Sequence, residues 1–476
     1  MDPETLGYSE SGDGDGEVAR PVPGLLLIFG DRRPAAVCIP LVDGAVELGR
    51  EHPAFAEHPD PRISRRHVRV RLERDQWTLT DLGSRNGALV DGELVAPGAT
   101  ARFSRLLRVG DSLLLALRDL GPMRRFGVRV ADGRVEGPRS QATLQWVRQV
   151  AQFGSTLHIT GESGAGKEEL ARAFHAGGPT PRGPLQTVNC AAIPEGLAER
   201  LLFGARRGAY SGADADADGY VQAAHGGVLF LDEVAELSLA VQAKLLRTLE
   251  TGEVLQLGAS RPRKVELRFC SATHSDLRAQ VTAGRFREDL FYRITAPTIT
   301  APPLRDRLEE IPWLVHAEVE RTSPGRAMHV SFVAACLLRP WPGNVRELLR
   351  EARSAAQLAA VGESPRIEAR HLGANAGAAL SREPAPTLAP TRVQTPDPTP
   401  AVPMKPPPEP GKPPPSVAQP PSRARLVAVL RRCEGNISAA ARELEVHRTQ
   451  FKRWLDRHGI DTASFVPPAI KSERAD

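Results

Sequence analysis

The residues Gly161-Glu162-Ser163-Gly164-Ala165-Gly166-Lys167, closed by Glu168, have the GxxxxGK spacing, which suits phosphate binding. Glycines at these positions let backbone N–H groups close around phosphate oxygens without Cβ clashes, and a helix starting behind them adds partial positive charge. Lys167 would neutralise the β/γ-phosphates of ATP. The general pattern places Ser or Thr after the lysine as a Mg²⁺ ligand. Glu168 stands there instead, so the metal would be held mainly from elsewhere. A glycine-rich turn can also be a plain helix cap. The full spacing and the preceding apolar run Thr156–Thr160 favour the phosphate reading.

A second constellation is Asp232-Glu233, which closes the apolar run Val228–Leu231. Ligands of open α/β sheets bind at the carboxyl ends of strands. Asp232 would therefore hold Mg²⁺, directly or through water, and Glu233 would polarise an attacking water. An isolated Asp-Glu pair is more often a solvated helix start; its place after a buried strand is what makes it chemical.

A third set is Gly49-Arg50, Ser64-Arg65-Arg66-His67 and Leu82-Gly83-Ser84-Arg85-Asn86-Gly87, all in turns between short β-type runs. Guanidinium and hydroxyl groups converging from loops suit a phosphate monoester dianion, which takes charge-assisted, bidentate donors. The three motifs resemble, in order and spacing, those of the forkhead-associated (FHA) domain. By that resemblance Arg50 and Ser64 would hold a phosphothreonine, with Arg65 and Arg85 beside it and Asn86 gripping the peptide backbone. The partner would be a phosphothreonine protein or a Ser/Thr kinase, and His67 would be structural.

Positioning these groups takes more than one core. A chain of 476 residues predicts two to four domains. Five scattered cysteines without a C-x-x-C pair argue against a zinc site or a disulfide framework and fit a reducing cytoplasm. The N-terminus is acidic and Gly-rich, and apolar runs such as Leu25–Phe29 and Leu113–Leu117 are far short of a bilayer span, so no membrane role is expected. The formal net charge of +5 is matched by residues 422–460, which hold nine Lys/Arg against four Asp/Glu. That points to a nucleic-acid partner for the C-terminal unit.

From Gly161 to about Leu349 the chain resembles the AAA+ domain of sigma-54-dependent transcriptional activators. The resemblance rests on GESGAGKE, VNCAAIP, GAYSGA, LFLDEV, SATH, FREDLFYR, PPLRDRLEEI and WPGNVREL. It implies that Arg287 and Arg293 are fingers reaching a neighbouring subunit's γ-phosphate. Thr273 and His274 would sense that phosphate, Asn189 would restrain Glu233, and Arg346 would contact nucleotide from a helical lid. The loop Gly208-Ala209-Tyr210-Ser211-Gly212-Ala213 stands where the family has GAFTGA and would touch sigma-54, with the aromatic ring and the hydroxyl both kept. The last segment resembles a Fis-type helix-turn-helix, with Arg448, Thr449, Gln450, Lys452 and Arg453 facing DNA.

These readings give an acidic tail (1–23), an all-β FHA sandwich (24–118), a connector (119–138), an α/β AAA+ P-loop domain (139–372), a Pro-rich linker (373–422) and a small all-α unit (423–476). The lid would start near residue 304. Residues 383–422 hold 16 of the chain's 42 prolines, the composition of an extended spacer. The resemblance implies a cytoplasmic hexamer that uses ATP and Mg²⁺, binds upstream promoter DNA and remodels sigma-54 RNA polymerase. The competing expectation is a phosphopeptide-binding DNA adaptor whose ATPase serves assembly only.

Overall fold

The computed structural model describes residues 20–131, 133–209, 214–378, 423–433 and 437–444, and positions 451, 454, 455, 458 and 460. The chain divides into two compact units, residues 1–385 and 386–476.

The first unit opens with ten strands: β1 (Gly24–Gly30), β2 (Arg33–Pro40), β3 (Ala45–Leu48), β4 (Val68–Glu73), β5 (Gln76–Asp81), β6 (Ala88–Val90), β7 (Glu93–Val95), β8 (Thr100–Phe103), β9 (Leu106–Val109) and β10 (Ser112–Leu117). They form two antiparallel sheets, ordered β2-β1-β10-β9-β6-β7 and β3-β4-β5-β8. The sequence explains why the sheets differ. In the smaller sheet, VRVRLE and QWTLTD alternate, with one face in the sandwich core and the other toward solvent. In the larger sheet, GLLLIFG is buried at every position. Leu25, Leu27 and Leu114 point into the sandwich core, whereas Leu26, Ile28, Leu113 and Leu115 point the other way, into a second cluster. Both faces of β1 and β10 are therefore covered. Each large side chain so buried contributes about 1.5–3 kcal/mol relative to exposure.

The stretch expected to be a connector is structured. It folds into helix α1 (Gly121–Phe126) and the hairpin β11 (Arg129–Ala131) and β12 (Arg134–Glu136), which leads directly into α2 (Pro138–Phe153). Next come β13 (Thr156–Thr160), α3 (Lys167–Ala176), β14 (Leu185–Asn189), α4 (Glu195–Phe203), α5 (Tyr220–Ala223), β15 (Val228–Asp232) and α6 (Leu239–Thr251). The hairpin β16 (Glu253–Val254) and β17 (Arg263–Lys264) precedes β18 (Arg268–Thr273), α7 (Leu277–Thr282), α8 (Glu288–Ile294) and β19 (Thr298–Thr300). Strands β14-β15-β18-β13-β19, in that order, make a parallel sheet. Both catalytic candidates follow from this order: the phosphate loop leaves the end of β13, and Asp232 ends β15 two places away.

The lid comprises α9 (Ile311–Thr322), α10 (Val330–Leu338) and α11 (Asn344–Val361). On α11, Leu348, Ala352, Ala355, Ala356 and Ala359 form a buried stripe at helical spacing, and the small alanines let α9 approach closely. Gly377 packs on Trp341, and its N–H donates to Glu347 Oε1 (3.0 Å), so the lid extends past residue 373, where the linker was expected to begin.

In the second unit, α12 (Arg423–Arg432) and α13 (Ile437–Glu443) pack around Leu426, Val429, Leu430, Ala440 and Ala441 together with Phe451, Trp454 and Leu455. Among the described residues, no helix is long and apolar enough to cross a membrane.

Candidate functional site

The phosphate loop has the backbone its composition predicts. Gly161, Gly164 and Gly166 sit at φ of 145°, 74° and 102°, conformations open to glycine. A Cβ on Gly164 would also meet the carbonyl oxygen of Gly343 at 2.3 Å. The lid therefore closes directly on the loop.

Lys167 is buried and donates to Gly161 O (3.0 Å) and to Glu233 Oε1 (3.3 Å). Glu233 Oε2 in turn accepts from His274 Nδ1 (2.7 Å), His274 N–H (3.2 Å) and Thr273 Oγ1 (3.2 Å). Burial alone would raise the Glu233 carboxyl, but these hydrogen bonds from His274 and the charge of Lys167 outweigh it and hold the group below the usual carboxylate range. Glu233 also has φ of 53°, a left-handed backbone uncommon for a residue with a Cβ and worth about 1–2 kcal/mol of strain. The carboxylate is thus ionised, pinned on three sides and turned to the lysine.

Asp232 contrasts with its neighbour. Its Oδ1 is buried without a hydrogen-bond partner, and burial raises its carboxyl despite the opposing charge of Lys167. A buried, unpartnered carboxylate oxygen beside a phosphate loop fits a divalent cation. Among the described residues, no group of three His, Cys, Asp or Glu side chains could hold a metal. A Mg²⁺ ion here would be completed by phosphate oxygens and water. Glu168 lines the same cavity and its carboxylate lies 3.5 Å from Arg172.

The cavity has a volume of about 670 Å³. Its lining combines Ser163–Glu169, Asp232 and Glu233 with the apolar side chains of Val135, Leu144, Leu314, Val345 and Leu349. That mixture of charged and apolar walls suits a ligand with both a phosphate chain and a flat base. Arg346 reaches in from α11 and donates to Ser163 Oγ (3.2 Å).

Asn189 lines the cavity but is not brought to Glu233: its Oδ1 accepts the Ala191 N–H (3.0 Å) and caps the turn after β14. The restraint on Glu233 comes from Thr273, His274 and Lys167 instead. Arg287 chelates Asp289 (3.0 and 2.6 Å), and Arg293 donates to Leu249 O (2.8 Å). Both are exposed, Arg287 capping the N-terminus of α8 and Arg293 in its last turn, and neither lines the cavity of its own chain.

Three contributors escaped the sequence reading. Asn344, buried with φ of 51°, donates to Glu162 Oε2 (3.0 Å) and Ser163 O (3.1 Å) and accepts from Leu304 N–H (2.8 Å). Arg305 pairs with Glu162 (2.8 Å). Arg307 is buried against Glu310 (3.0 Å) and donates to Ala165 O (2.7 Å). The signal for Asn344 was present in Trp341-Pro342-Gly343-Asn344, because Asn tolerates the left-handed conformation such a turn requires.

The predicted contact loop rises from a stem in which Ala205 bridges Ala217, Arg206 pairs with Asp216, and Arg207 N–H donates to Asp216 Oδ1 (2.8 Å). Gly208 and Ala209 continue this stem; Tyr210, Ser211, Gly212 and Ala213 lie outside the described residues. So do Arg448, Thr449, Gln450, Lys452 and Arg453.

In the sandwich, Gly49 has no space for a Cβ, which would meet Arg65 O at 1.9 Å, and this brings Arg50 against the Ser64 loop. Arg50 Nε donates to Ile63 O (2.9 Å), and Ser64 Oγ accepts the Arg85 N–H (3.2 Å). Asn86 Nδ2 donates to Arg62 O (3.0 Å). Arg50, Arg65, Arg85 and Asn86 are exposed around half-buried Ser64. His67, wholly buried, lies between Ser64 N–H (3.1 Å) and Gly87 O (3.1 Å) and joins the two loops from below.

Comparison with known proteins agrees with this geometry. Residues 135–300 match the family described as the Sigma-54 interaction domain, residues 46–116 the FHA domain, and residues 422–458 the Fis family of bacterial regulatory proteins. Similar proteins include the hydrogenase transcriptional regulatory protein HoxA of Cupriavidus necator, 42% identical over 240 residues covering 49% of this chain and 50% of that one. A Nif-specific regulatory protein of Herbaspirillum seropedicae is 47% identical over 213 residues, covering 44% and 39%. The chain spans half or less of the length of these relatives. Among solved structures, NtrX from Brucella abortus is similar at 30% identity, with 67% of each chain covered and a TM-score of 0.47.

Proposed function

We propose that this chain, whose residues match in order the FHA domain, the Sigma-54 interaction domain and the Fis family of bacterial regulatory proteins, is an ATP-driven activator working on the sigma-54 RNA polymerase promoter complex. The supporting observation is that Lys167, Asp232 and Glu233 line one lid-closed cavity while Thr273 and His274 hold the Glu233 carboxylate.

In this reading the backbone N–H groups of Gly164–Lys167 and the Lys167 ammonium bind the β/γ-phosphates. Asp232 holds Mg²⁺, which when bound would neutralise developing phosphate charge. Glu233 acts on water only after leaving Lys167, so a γ-phosphate that takes the lysine and engages Thr273 and His274 would free the carboxylate. Arg287 and Arg293 are exposed and outside their own cavity, as groups serving a neighbouring subunit must be. Such fingers contribute about 10³–10⁵ in rate in other nucleotide hydrolases. The ring is proposed to be a hexamer, acting in the cytoplasm. The loop around Tyr210 would carry each hydrolysis event to sigma-54, the C-terminal unit would bind upstream promoter DNA, and the FHA loops would read a phosphothreonine protein.

Lys167→Ala is expected to lose nucleotide binding and turnover together, because phosphate charge goes unneutralised. Glu233→Gln should still bind ATP yet turn over at least a hundredfold more slowly, on the order expected for loss of a general base. A steady-state phosphate-release assay decides. Near-normal hydrolysis by either variant would remove the catalytic assignment.

A further inference from the structure

The larger sheet of the FHA domain is built into the lid. Leu26, Ile28, Leu113 and Leu115 share one buried cluster with Val315 and Val319 of α9, Val333 and Leu337 of α10, and Leu348 and Ala352 of α11. The α11 helix begins at Asn344, and its first turn carries Arg346; these are the side chains that hold the phosphate loop. The phosphopeptide loops and the nucleotide cavity are therefore joined through packed elements, not by a tether.

A charged cluster lies at the edge of this seam. Arg62, whose carbonyl holds Asn86, pairs with Asp111 (3.3 Å), which also lies 3.4 Å from Arg108. Asp60 Oδ2 accepts the Asp111 N–H (2.7 Å) and Ser112 Oγ–H (3.0 Å), so the Asp60–Ser64 loop is fastened to the β9–β10 turn. Across the seam stands His329, the N-cap of α10. Burial lowers its pKa, Arg366 and Arg108 push the same way, and Asp111 and Glu368 oppose them. Asp111 immediately precedes β10, whose Leu113 and Leu115 are packed into the lid cluster. Arg62 is 57% exposed and sits one loop residue from Ile63, whose carbonyl binds Arg50. A phosphate dianion held at Arg50 and Ser64 would offer this exposed guanidinium a second anionic partner beside Asp111.

We propose that phosphopeptide and nucleotide binding are coupled within one chain, Arg62 exchanging Asp111 for the phosphate and the lid passing the change to the phosphate loop. This rests on the phosphothreonine reading of the FHA loops and adds an intramolecular route that ring assembly alone does not provide. Coupling of this kind is reciprocal: each ligand must change the other's affinity by the same factor.

The test uses the full-length chain, a phosphothreonine peptide selected on it from an oriented library, and a slowly hydrolysed ATP analogue. Calorimetry measures each affinity with and without saturating amounts of the other ligand. The expected result is a change of about fivefold or more, equal in both directions. Asp111→Asn, an isosteric change at a partly exposed carboxylate, should keep peptide and analogue binding while bringing the factor toward one. Peptide binding with unchanged analogue affinity overturns the coupling and leaves phosphopeptide recognition standing. An undiminished factor in Asp111→Asn overturns the route through Arg62. If no phosphothreonine peptide binds, the FHA reading falls and the coupling with it.

Discussion

Arg50 and Ser64 lie on facing loops held together by backbone hydrogen bonds and by buried His67, so a phosphate would meet prearranged donors. A charge-assisted bond contributes about 1.5–3 kcal/mol, so Arg50→Ala should weaken phosphothreonine peptide binding at least about tenfold. Calorimetry against phosphorylated and unphosphorylated peptide checks this, and equal binding by the variant would make the domain a structural sandwich. A different residue sets acid sensitivity. His158, on the interior strand β13 of the parallel sheet, is 2% exposed and hydrogen-bonded to Ser271 (2.8 Å), and burial lowers its pKa from 6.5 to about 4. Between those values the unfolded chain binds a proton that the folded chain does not, so stability rises with pH through this window and is lost on acidification. The loss is on the order of 3 kcal/mol by about pH 4. His158→Gln should flatten the pH dependence of the urea midpoint whatever its stability at neutral pH. An unchanged slope contradicts the assignment. Lys167, Asp232 and Glu233 were legible because each belongs to a motif tied to a strand end. The side-chain partners of Glu233 were not legible, since Asn189 ends β14 and His274 follows β18, the two strands flanking β15, and only the turn after β14, which captures Asn189, separates them.

At the scale of elements, the stem of the proposed contact loop and the proposed catalytic groups occupy separate structures. The stem closed by Ala205–Ala217 and Arg206–Asp216 lies beside the β16–β17 hairpin, whereas Lys167 opens α3 and Glu233 follows the end of β15. Tyr210→Ala and Ser211→Ala should therefore retain most ATP turnover and lose sigma-54 binding in a transition-state-analogue complex. Promoter opening by both variants would show that the loop is not the contact. The strands carried a message the composition alone did not reveal. Alternation in VRVRLE and QWTLTD marks one solvated face, while the unbroken runs GLLLIF and SLLL mark strands covered on both. That pattern indicates a second layer over β1 and β10. Its identity as α9 and α10 follows from long-range packing, which no local pattern encodes. The connector was misread for a related reason: helix α1 is six residues and the hairpin strands three each, too short to show a period.

For the whole molecule, the first unit combines the FHA sandwich, the nucleotide cavity and the lid, and the second carries the helical residues matched to the Fis family. The order of parts was legible from motifs; the fusion of sandwich to lid was not. If, as proposed, nucleotide releases Glu233 from Lys167, Thr273 and His274 and the loop on the Ala205–Ala217 stem meets sigma-54, the protein should convert ATP turnover into work on a promoter complex. The adaptor alternative allows turnover without that work. The decisive measurement is open-complex formation at a sigma-54 promoter with purified full-length protein, sigma-54 polymerase and ATP, run beside Glu233→Gln. Open complexes that require ATP and vanish in Glu233→Gln are the expected result. Steady ATP hydrolysis by the wild-type protein with no open complexes would contradict the account.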